Sequence, residues 1–240
     1  MTKKVFDAEV HKRILVQILL DVSKNFPGKM GFKGGTCAQL FYNLPRISVD
    51  LDFDILSPFT PAEIDELKIF LGKYGAIKNF HDKRHTTFFL LDYRSNFPNV
   101  KIELNKRIWK NNVYLPVWLL GVEIKIADEE TIFTNKLVAL TDRKLPVARD
   151  LFDSYYFFKA GYSVKESLLQ ERTGKNTKEY LLFLKKYIKR NFNKRIVLQG
   201  LGEILEEAQK EWVRKNLVDE AIKEIDKYLT EEDRKKEEND

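Results

Sequence analysis

Three aspartates alternate with apolar residues in the segment Asp50-Leu51-Asp52-Phe53-Asp54. On a β-strand, residues two apart lie on one face, so the carboxylates would share a face while the apolar residues point into the core. Carboxylates this close repel one another unless a cation binds between them. Mg²⁺ suits that role because it prefers oxygen ligands and is often shared with substrate phosphates. The pattern therefore predicts a metal site; the alternative is a solvated acidic strand face.

A glycine turn, Lys33-Gly34-Gly35-Thr36, precedes the acidic strand, with thirteen residues between the two. Glycines between a strand and a helix let backbone N–H groups approach a phosphate closely, and the helix dipole adds attraction. Thr36 would cap that helix or contact a phosphate oxygen. The turn is not a Walker A loop, because no Gly-Lys-Ser/Thr follows it. Turn and acidic strand together predict a nucleotide site.

Glu103 is a candidate for the third metal ligand. It lies on a predicted strand over residues 100–105, where it faces away from Ile102 and Leu104. From a neighbouring strand it could approach the aspartate row, or it could be a simple strand-surface charge. Asp92 is the other candidate for this role.

Four charged residues in the second half of the chain are candidates for phosphate contacts. Lys136 and Arg143 lie seven apart on a predicted helix, so they share a face suited to gripping a triphosphate that enters between the two halves. The alternative is that both are ordinary surface cations. Asp150 and Asp153 are i, i+3 neighbours. Asp150 could position Lys136 or accept a proton from an attacking hydroxyl, or both acids could be helix-start charges favoured by the dipole.

The predicted elements change character near residue 127. Before this point, helices over residues 8–23, 37–42 and 61–73 alternate with strands over residues 30–32, 49–56, 86–93, 100–105 and 113–126, the last interrupted at Pro116. After it, helical periodicity covers residues 129–141, 146–159, 164–171, 178–190 and 202–228, and residues 231–240 are expected to fray. We predict an α/β (α+β) domain over residues 1–127 with a partly antiparallel sheet. The all-helical domain over residues 128–240 is expected to complete the active site and contact the acceptor.

Composition excludes several classes of protein. The 240 residues carry a net charge of +6 and are 43% hydrophobic, which rules out a chain that is disordered throughout. The single cysteine, Cys37, excludes a disulfide framework and a thiolate zinc site within the chain. The segment His81-Asp82-Lys83-Arg84-His85 has two histidines four apart, but without further ligands it indicates a polar turn. No secretory signal or membrane-spanning run is visible, so we expect a cytoplasmic protein with no membrane partner.

Four blocks of sequence resemble the AbiEii/AbiGii (MenT-like) toxin family of polymerase-beta-like nucleotidyltransferases. They occur in the family's order, as residues 33–36, 44–53, 136–143 and 149–153. The resemblance implies a mixed sheet with flanking helices, followed by a helical C-terminal domain. It also implies transfer of a nucleoside monophosphate from an NTP, dependent on Mg²⁺ with Mn²⁺ as an alternative ion.

The same resemblance implies roles for individual residues. Asp50 and Asp52 would hold the metals, Thr36 would lie near the triphosphate, and Glu103 is not covered by a motif. The implied catalytic residues are Asp50, Asp52, Lys136 and Asp150 or Asp153. The expected nucleotide-binding residues are Lys33, Gly34, Gly35, Thr36, Arg46, Ser48, Lys136 and Arg143.

A basic segment is the candidate surface for an acceptor. Residues 172–195 hold nine Lys or Arg and one acid. Within it, Leu181, Leu184 and Ile188 form an inward stripe, which leaves Lys178 and the expected RNA-binding residues toward solvent; these are Lys185, Lys186, Lys189 and Arg190. The interleaved aromatics are expected in the core; they are Tyr180, Phe183, Tyr187 and Phe192.

These observations lead to one main hypothesis and two alternatives. The main hypothesis is a nucleotidyltransferase toxin of a toxin–antitoxin or phage-defence pair, which modifies an RNA acceptor at a tRNA 3′ end and has a cognate antitoxin as partner. The first alternative keeps the chemistry and makes a protein side chain or small-molecule hydroxyl the acceptor. The second is a non-catalytic module that binds RNA or a partner.

Overall fold

A computed structural model describes residues 7–94, 97–107, 109–193, 196–201, 205 and 207–238. The chain forms two compact units, Met1–Ile108 with Val113–Asp128, and Trp109–Asn112 with Glu129–Asp240. Among the described residues, no helix is both long and apolar enough to cross a membrane.

The described part of the first unit is a mixed seven-stranded sheet with three helices. Its elements are α1 (Ala8–Asn25), β1 (Met30–Lys33), α2 (Gly34–Phe41), β2 (Leu51–Ile55), α3 (Pro61–Gly72), β3 (Ala76–Asp82), β4 (Thr86–Asp92), β5 (Val100–Asn105), β6 (Tyr114–Leu119) and β7 (Val122–Ala127). The strand order is β3-β4-β5-β2-β1-β7-β6. The pairs β2–β5 and β1–β7 are parallel and the other pairs are antiparallel. The expected mixed sheet with flanking helices is therefore confirmed.

Local signals explain how the helices of this unit begin. Asp7 precedes α1, and its carboxylate accepts hydrogen bonds from the N–H groups of Glu9 and Val10. Thr60 caps α3, where Glu63 returns a bond to the Thr60 N–H and completes a capping box. The buried face of each helix follows the periodicity that predicts it.

Three boundary predictions in this unit are wrong. The helix α2 starts at Gly34, not after the glycines. Pro116 lies inside β6, an edge strand that tolerates a missing N–H, and the break falls at Leu120-Gly121, both with positive φ. The strand β3 was not predicted, because this edge strand is largely exposed and lacks an alternating pattern.

The second unit contains five helices among the described residues. They are α4 (Glu129–Asp142), α5 (Ala148–Lys159), α6 (Glu166–Thr173), α7 (Thr177–Asn191) and α8 (Glu207–Glu237). The prediction that the C-terminal residues fray is wrong for residues 231–237, which continue α8. Residues 202–204 and 206, expected at the start of this helix, lie outside the described residues.

A short segment between β5 and β6 belongs to the helical unit rather than to the sheet. The Glu171 carboxylate accepts bonds from the N–H groups of Lys110 at 2.8 Å and Asn111 at 3.0 Å. The guanidinium of Arg172 lies 5.0 Å from the centre of the Trp109 ring. Burial acts to raise the Glu171 pKa, but the bonds from Asn111 and Lys110 prevail and lower it.

Candidate nucleotide and metal site

The glycine turn brings the acidic strand against the start of α2. Gly34 has φ of +79°, and a Cβ at this position would overlap the Asp52 carboxylate. A Cβ on Gly35 would lie 2.7 Å from Ser48 Oγ and 3.0 Å from an Arg46 guanidinium nitrogen. The two glycines therefore allow three polar side chains predicted for the site to approach the α2 backbone.

The strand β2 carries the predicted alternation over part of the aspartate row. Leu51 and Phe53 are buried, whereas Asp52 is half-buried on the opposite face. Asp50 lies just before the strand, and its Oδ1 accepts a hydrogen bond from the N–H of Lys101 at 3.2 Å. The Lys101 ammonium lies 3.6 Å from the other carboxylate oxygen. Asp50 therefore sits at the entrance to β2 and not within its row.

Thr36 fixes this entrance. It is buried within α2, and its hydroxyl contacts the Asp50 carbonyl oxygen and, at 3.0 Å, Ser48 Oγ. The prediction that Thr36 caps the helix is wrong, because the N-cap is Lys33, which makes no side-chain cap bond. Thr36 thus couples the glycine turn to the backbone of a predicted metal ligand.

The third aspartate of the row has a structural environment. Asp54 is 4% exposed and lies 2.5 Å from the ammonium of Lys33. It also accepts hydrogen bonds from Asn105, at 2.7 Å, and from the Tyr114 hydroxyl. These partners neutralise the buried carboxylate. Lys33, predicted to bind nucleotide, is held beside the glycine turn by this ion pair.

Glu103 lies directly opposite Asp52 in the parallel register of β2 and β5. Neighbouring strands are about 4.7–4.9 Å apart and paired residues face the same side, so the two carboxylates share a face. Asp92 instead lies on β4, which does not adjoin β2, and forms an ion pair with Lys78 at 3.3 Å. Of the two candidates for a third ligand, Glu103 is therefore the one whose strand adjoins Asp52.

The chemistry of this donor set fits a divalent ion. Asp52 and Glu103 present like charges on neighbouring strands, an arrangement that a hard cation would stabilise. Among the described residues, however, no group of three or more metal-ligating side chains is assembled. The ligand set Asp50, Asp52 and Glu103 therefore stays a prediction.

His11 and Tyr93 are two residues near the site that sequence reasoning missed. His11 is fully buried; its Nε2 donates to the Val49 carbonyl at 3.0 Å, and its Nδ1 accepts from the Tyr93 hydroxyl at 2.8 Å. Burial lowers the His11 pKa, although the Val49 bond and the Asp50 charge oppose this shift. The neutral ring holds the residue before Asp50. A histidine in the apolar stripe of α1 was the available signal.

The candidate phosphate-binding residues of the second unit form two ion pairs with α5. Lys136 lies 2.7 Å from Asp153, which is fully buried. Arg143 follows the end of α4, so it does not share that helix with Lys136, and its Nε lies 2.6 Å from Asp150 Oδ2. The expectation that Asp150 positions Lys136 is thus wrong, because Asp153 does so. Asp150 Oδ2 is buried and has no hydrogen-bond partner among the described residues, so its contact with Arg143 is purely ionic.

The basic helix α7 exposes fewer free cations than predicted. Its inward stripe of Leu181, Leu184 and Ile188 is confirmed as buried. Lys186, Lys189 and Arg190 are exposed as predicted, whereas the prediction for Lys185 is wrong, because it is half-buried and paired with Asp226 of α8.

Two further predictions for α7 differ from the structure. Lys178 is exposed but bonded to Asp233 of α8 at 2.9 Å, so its charge is partly neutralised. Phe183 was expected in the core but is 42% exposed, whereas Tyr180 and Phe192 are buried as expected. The residues Lys194 and Arg195 of the basic segment lie outside the described residues.

Comparisons with known proteins agree with this architecture. The crystal structure of a protein from H. pylori described as a nucleotidyltransferase has a TM-score of 0.56 and 20% identity, covering 92% of this chain and 97% of that one. The crystal structure of JHP933 from Helicobacter pylori has a TM-score of 0.56 and 19% identity, covering 95% and 97%. At these identities the likeness shows the fold alone. No curated protein matches the sequence.

The family comparison covers nearly the whole chain. Residues 17–234 match the family described as nucleotidyl transferase AbiEii toxin of Type IV toxin–antitoxin systems. The matched span includes every block on which the sequence resemblance was based. The chain therefore belongs to the AbiEii family of nucleotidyltransferase toxins.

Proposed function

We propose that this nucleotidyltransferase transfers a nucleoside monophosphate from an NTP to an RNA acceptor, at a tRNA 3′ end, with Mg²⁺ as the metal ion. The observation that carries the proposal is the pairing of Asp52 with Glu103 on neighbouring strands, beside a glycine turn that admits the Asp52 carboxylate. Carboxylates next to a glycine-rich helix start suit the binding of a metal–triphosphate complex.

In the proposed reaction, an acceptor hydroxyl attacks the α-phosphorus in line with the bond to pyrophosphate. The hydroxyl loses its proton, a new P–O bond forms and pyrophosphate leaves. A divalent ion held by Asp50, Asp52 and Glu103 would neutralise charge on the phosphates. Thr36 and His11 keep the backbone at Asp50 in position for this role.

The phosphate contacts of Lys136 and Arg143 rest on their motif. Each cation is already aligned by a buried carboxylate of α5, which restricts its motion before substrate binds. We propose that Asp153 orients Lys136 and that Asp150 orients Arg143. This assignment replaces the alternatives in which Asp150 acts on Lys136 or takes a proton.

The biological role follows from the family. We propose that the chain acts as a toxin in the cytoplasm, because its proposed acceptor is found there, and that a cognate antitoxin counteracts it. Expression of the wild-type chain is then expected to arrest growth. Expression of the Asp52→Asn variant at the same level is expected to be tolerated.

The first prediction tests the chemistry directly. Purified protein is incubated with each labelled NTP, Mg²⁺ and total RNA, and labelled RNA and labelled protein are separated and quantified. Asp52→Asn is expected to lower labelling of RNA at least about 10²-fold, the scale of losing one electrostatic stabiliser. Asp92→Asn is the matched control, because this strand carboxylate lies on β4 and pairs with Lys78.

Two results would contradict this proposal. Near-wild-type labelling by Asp52→Asn would exclude the proposed carboxylate chemistry. Label that enters protein and resists ribonuclease would instead support a protein side chain as the acceptor.

A further inference from the structure

A groove in the first unit is separate from the predicted nucleotide site. It has a volume of about 460 Å³, within the range of about 300–1,000 Å³ typical of ligand pockets. Its apolar wall includes Leu56, Phe59, Ile64 and Phe80. It opens where β2 ends, three to four residues beyond Asp52, which corresponds to about 10 Å or more along a strand.

The groove is bordered by exposed cations. Lys83 and Arg84 are exposed on the turn between β3 and β4, and Arg107 is exposed just after β5. The N–H of Lys106 donates to the His85 carbonyl at 2.9 Å, which joins this turn to the end of β5. The polar turn identified in the sequence is therefore one side of a basic rim.

Most of the charge on this rim is not neutralised by neighbouring acids of the described chain. The cations in and around the groove are Lys68, Lys83, Arg84, Lys106 and Arg107, and the acids are Asp65 and Asp82. Asp82 lies 2.5 Å from Lys106, and Asp65 lies 2.8 Å from Lys68. Five cations and two acids leave an excess of +3 next to an apolar cavity. The groove is thus complementary to a ligand with both an apolar ring and an anionic backbone.

We infer that this groove binds one unstacked base of single-stranded RNA while Lys83, Arg84 and Arg107 contact the phosphates on either side of it. A base in a duplex is stacked on both faces and cannot enter such a cavity, so the ligand is single-stranded. The Lys68 ammonium lies 4.0 Å from the centre of the Phe80 ring and offers a donor for base carbonyl oxygens. The inference rests on the proposed RNA acceptor for its biological role, but it can be tested without any nucleotidyl transfer.

The experiment measures binding of a fluorescent single-stranded oligoribonucleotide to the full chain by anisotropy, without NTP, over a range of salt concentrations. Lys83→Glu/Arg84→Glu is expected to lower affinity and to reduce the slope of log K against log salt by about 1.4, at about 0.7 per phosphate contact. Lys12→Glu/Arg13→Glu is the matched control, because these residues are an exposed Lys-Arg pair on α1 of the same unit. It is expected to leave the slope unchanged.

A second variant tests base insertion without a change in charge. Leu56 is 38% exposed at the groove, so Leu56→Trp is expected to fill the cavity and leave the fold intact. Affinity for the single strand is expected to fall about tenfold, the scale of losing one base contact. The salt slope and the binding of a duplex of the same sequence are expected to stay the same.

Three outcomes would overturn the inference. These are an equal loss in Lys12→Glu/Arg13→Glu, unchanged single-strand affinity in Leu56→Trp, and displacement of the oligonucleotide by an acidic peptide at concentrations where poly-uridylate fails. The transfer assay keeps this result distinct from the proposed function. If wild-type protein labels RNA but the rim variant binds RNA normally, the groove proposal fails alone. If no RNA is labelled but the groove variants lose binding, the proposed function fails alone.

Discussion

At the scale of single residues, neighbouring aspartates on one strand have different roles because their partners differ. Asp54 is buried beside Lys33, Asn105 and Tyr114, so its charge is compensated within the fold. Asp52 lies two residues earlier, against Gly34 and opposite Glu103. Its charge is therefore the one suited to a metal ion.

The close approach at Gly34 leads to the second prediction. Gly34→Ala is expected to destabilise the protein and weaken Mg²⁺ binding, because a Cβ would displace the Asp52 carboxylate. Gly28→Ala is the matched control, since Gly28 also has positive φ, +71°, but a Cβ there would meet no described atom within 4 Å. The control is expected to cost only the left-handed strain of about 1–2 kcal/mol.

Urea unfolding and calorimetric Mg²⁺ titration measure the two effects separately. Equal stability loss in both variants, with Mg²⁺ binding unchanged in Gly34→Ala, would show that contact with Asp52 has no importance for the site.

At the scale of elements, ion pairs and caps fix how the helices begin and pack. Glu63 completes the capping box of α3 and also lies 2.8 Å from Lys29. The hydrogen bond from Lys29, followed by the bond from the Thr60 N–H, lowers the Glu63 pKa to about 2 from its usual 4.5. The ionised carboxylate therefore stabilises the folded state.

The third prediction is a pH dependence caused by this cap. Because the folded pKa is lower than the unfolded one, the contribution of Glu63 is fully present above pH 4.5 and is lost as pH falls toward 2. Glu63→Gln is expected to lower the melting temperature at pH 7, by an amount that shrinks across this window. Thermal melts from pH 7 to pH 2.5 measure it, with Glu66→Gln, an exposed position on the same helix, as control. A constant difference across the window would contradict the assignment.

The fourth prediction concerns the packing of α4 against α5. Lys136→Met leaves the buried Asp153 without this cation, so it is expected to cost about 3–5 kcal/mol of unfolding free energy. Lys136→Met/Asp153→Leu is expected to recover most of that stability but none of the nucleotidyl transfer. Urea unfolding and the labelling assay give the two readouts. Recovery of transfer by the double variant would show that Lys136 is only structural.

At the scale of the whole molecule, net charge is a poor guide to where RNA binds. The acids of α8 neutralise part of the basic helix α7, since Asp226 and Asp233 pair with Lys185 and Lys178. The cations of α7 that remain exposed, and that pair with no acid among the described residues, are Lys186, Lys189 and Arg190. The proposed acceptor surface of the helical unit is therefore narrower than the sequence pattern.

The fifth prediction tests this narrower surface. Reversal of Lys186, Lys189 and Arg190 to Glu is expected to reduce labelling of RNA and the salt dependence of binding, at about 0.7 in slope per lost phosphate contact for a single strand. The control reverses three exposed lysines of α8, Lys215, Lys223 and Lys227. Equal losses in both triple variants would show that bulk charge, rather than α7, attracts the acceptor.

Local patterns in the sequence determined much of this protein. The alternation of Leu51, Asp52 and Phe53 predicts β2, and the stripe of Leu181, Leu184 and Ile188 predicts the buried face of α7. Both depend on the period of a single element, which residue spacing encodes directly. The blocks of the glycine turn and acidic strand likewise suffice for the family, which the full-length comparison confirms.

Tertiary structure alone decided which charges meet. No local spacing shows that Lys33 neutralises Asp54, that Asp153 rather than Asp150 holds Lys136, or that Glu103 lies opposite Asp52. These pairs depend on strand register and helix packing between residues distant in the chain. The strand β3 was missed for a related reason: at the edge of a sheet, hydrogen bonds to β4 stabilise a strand whose side chains remain largely exposed.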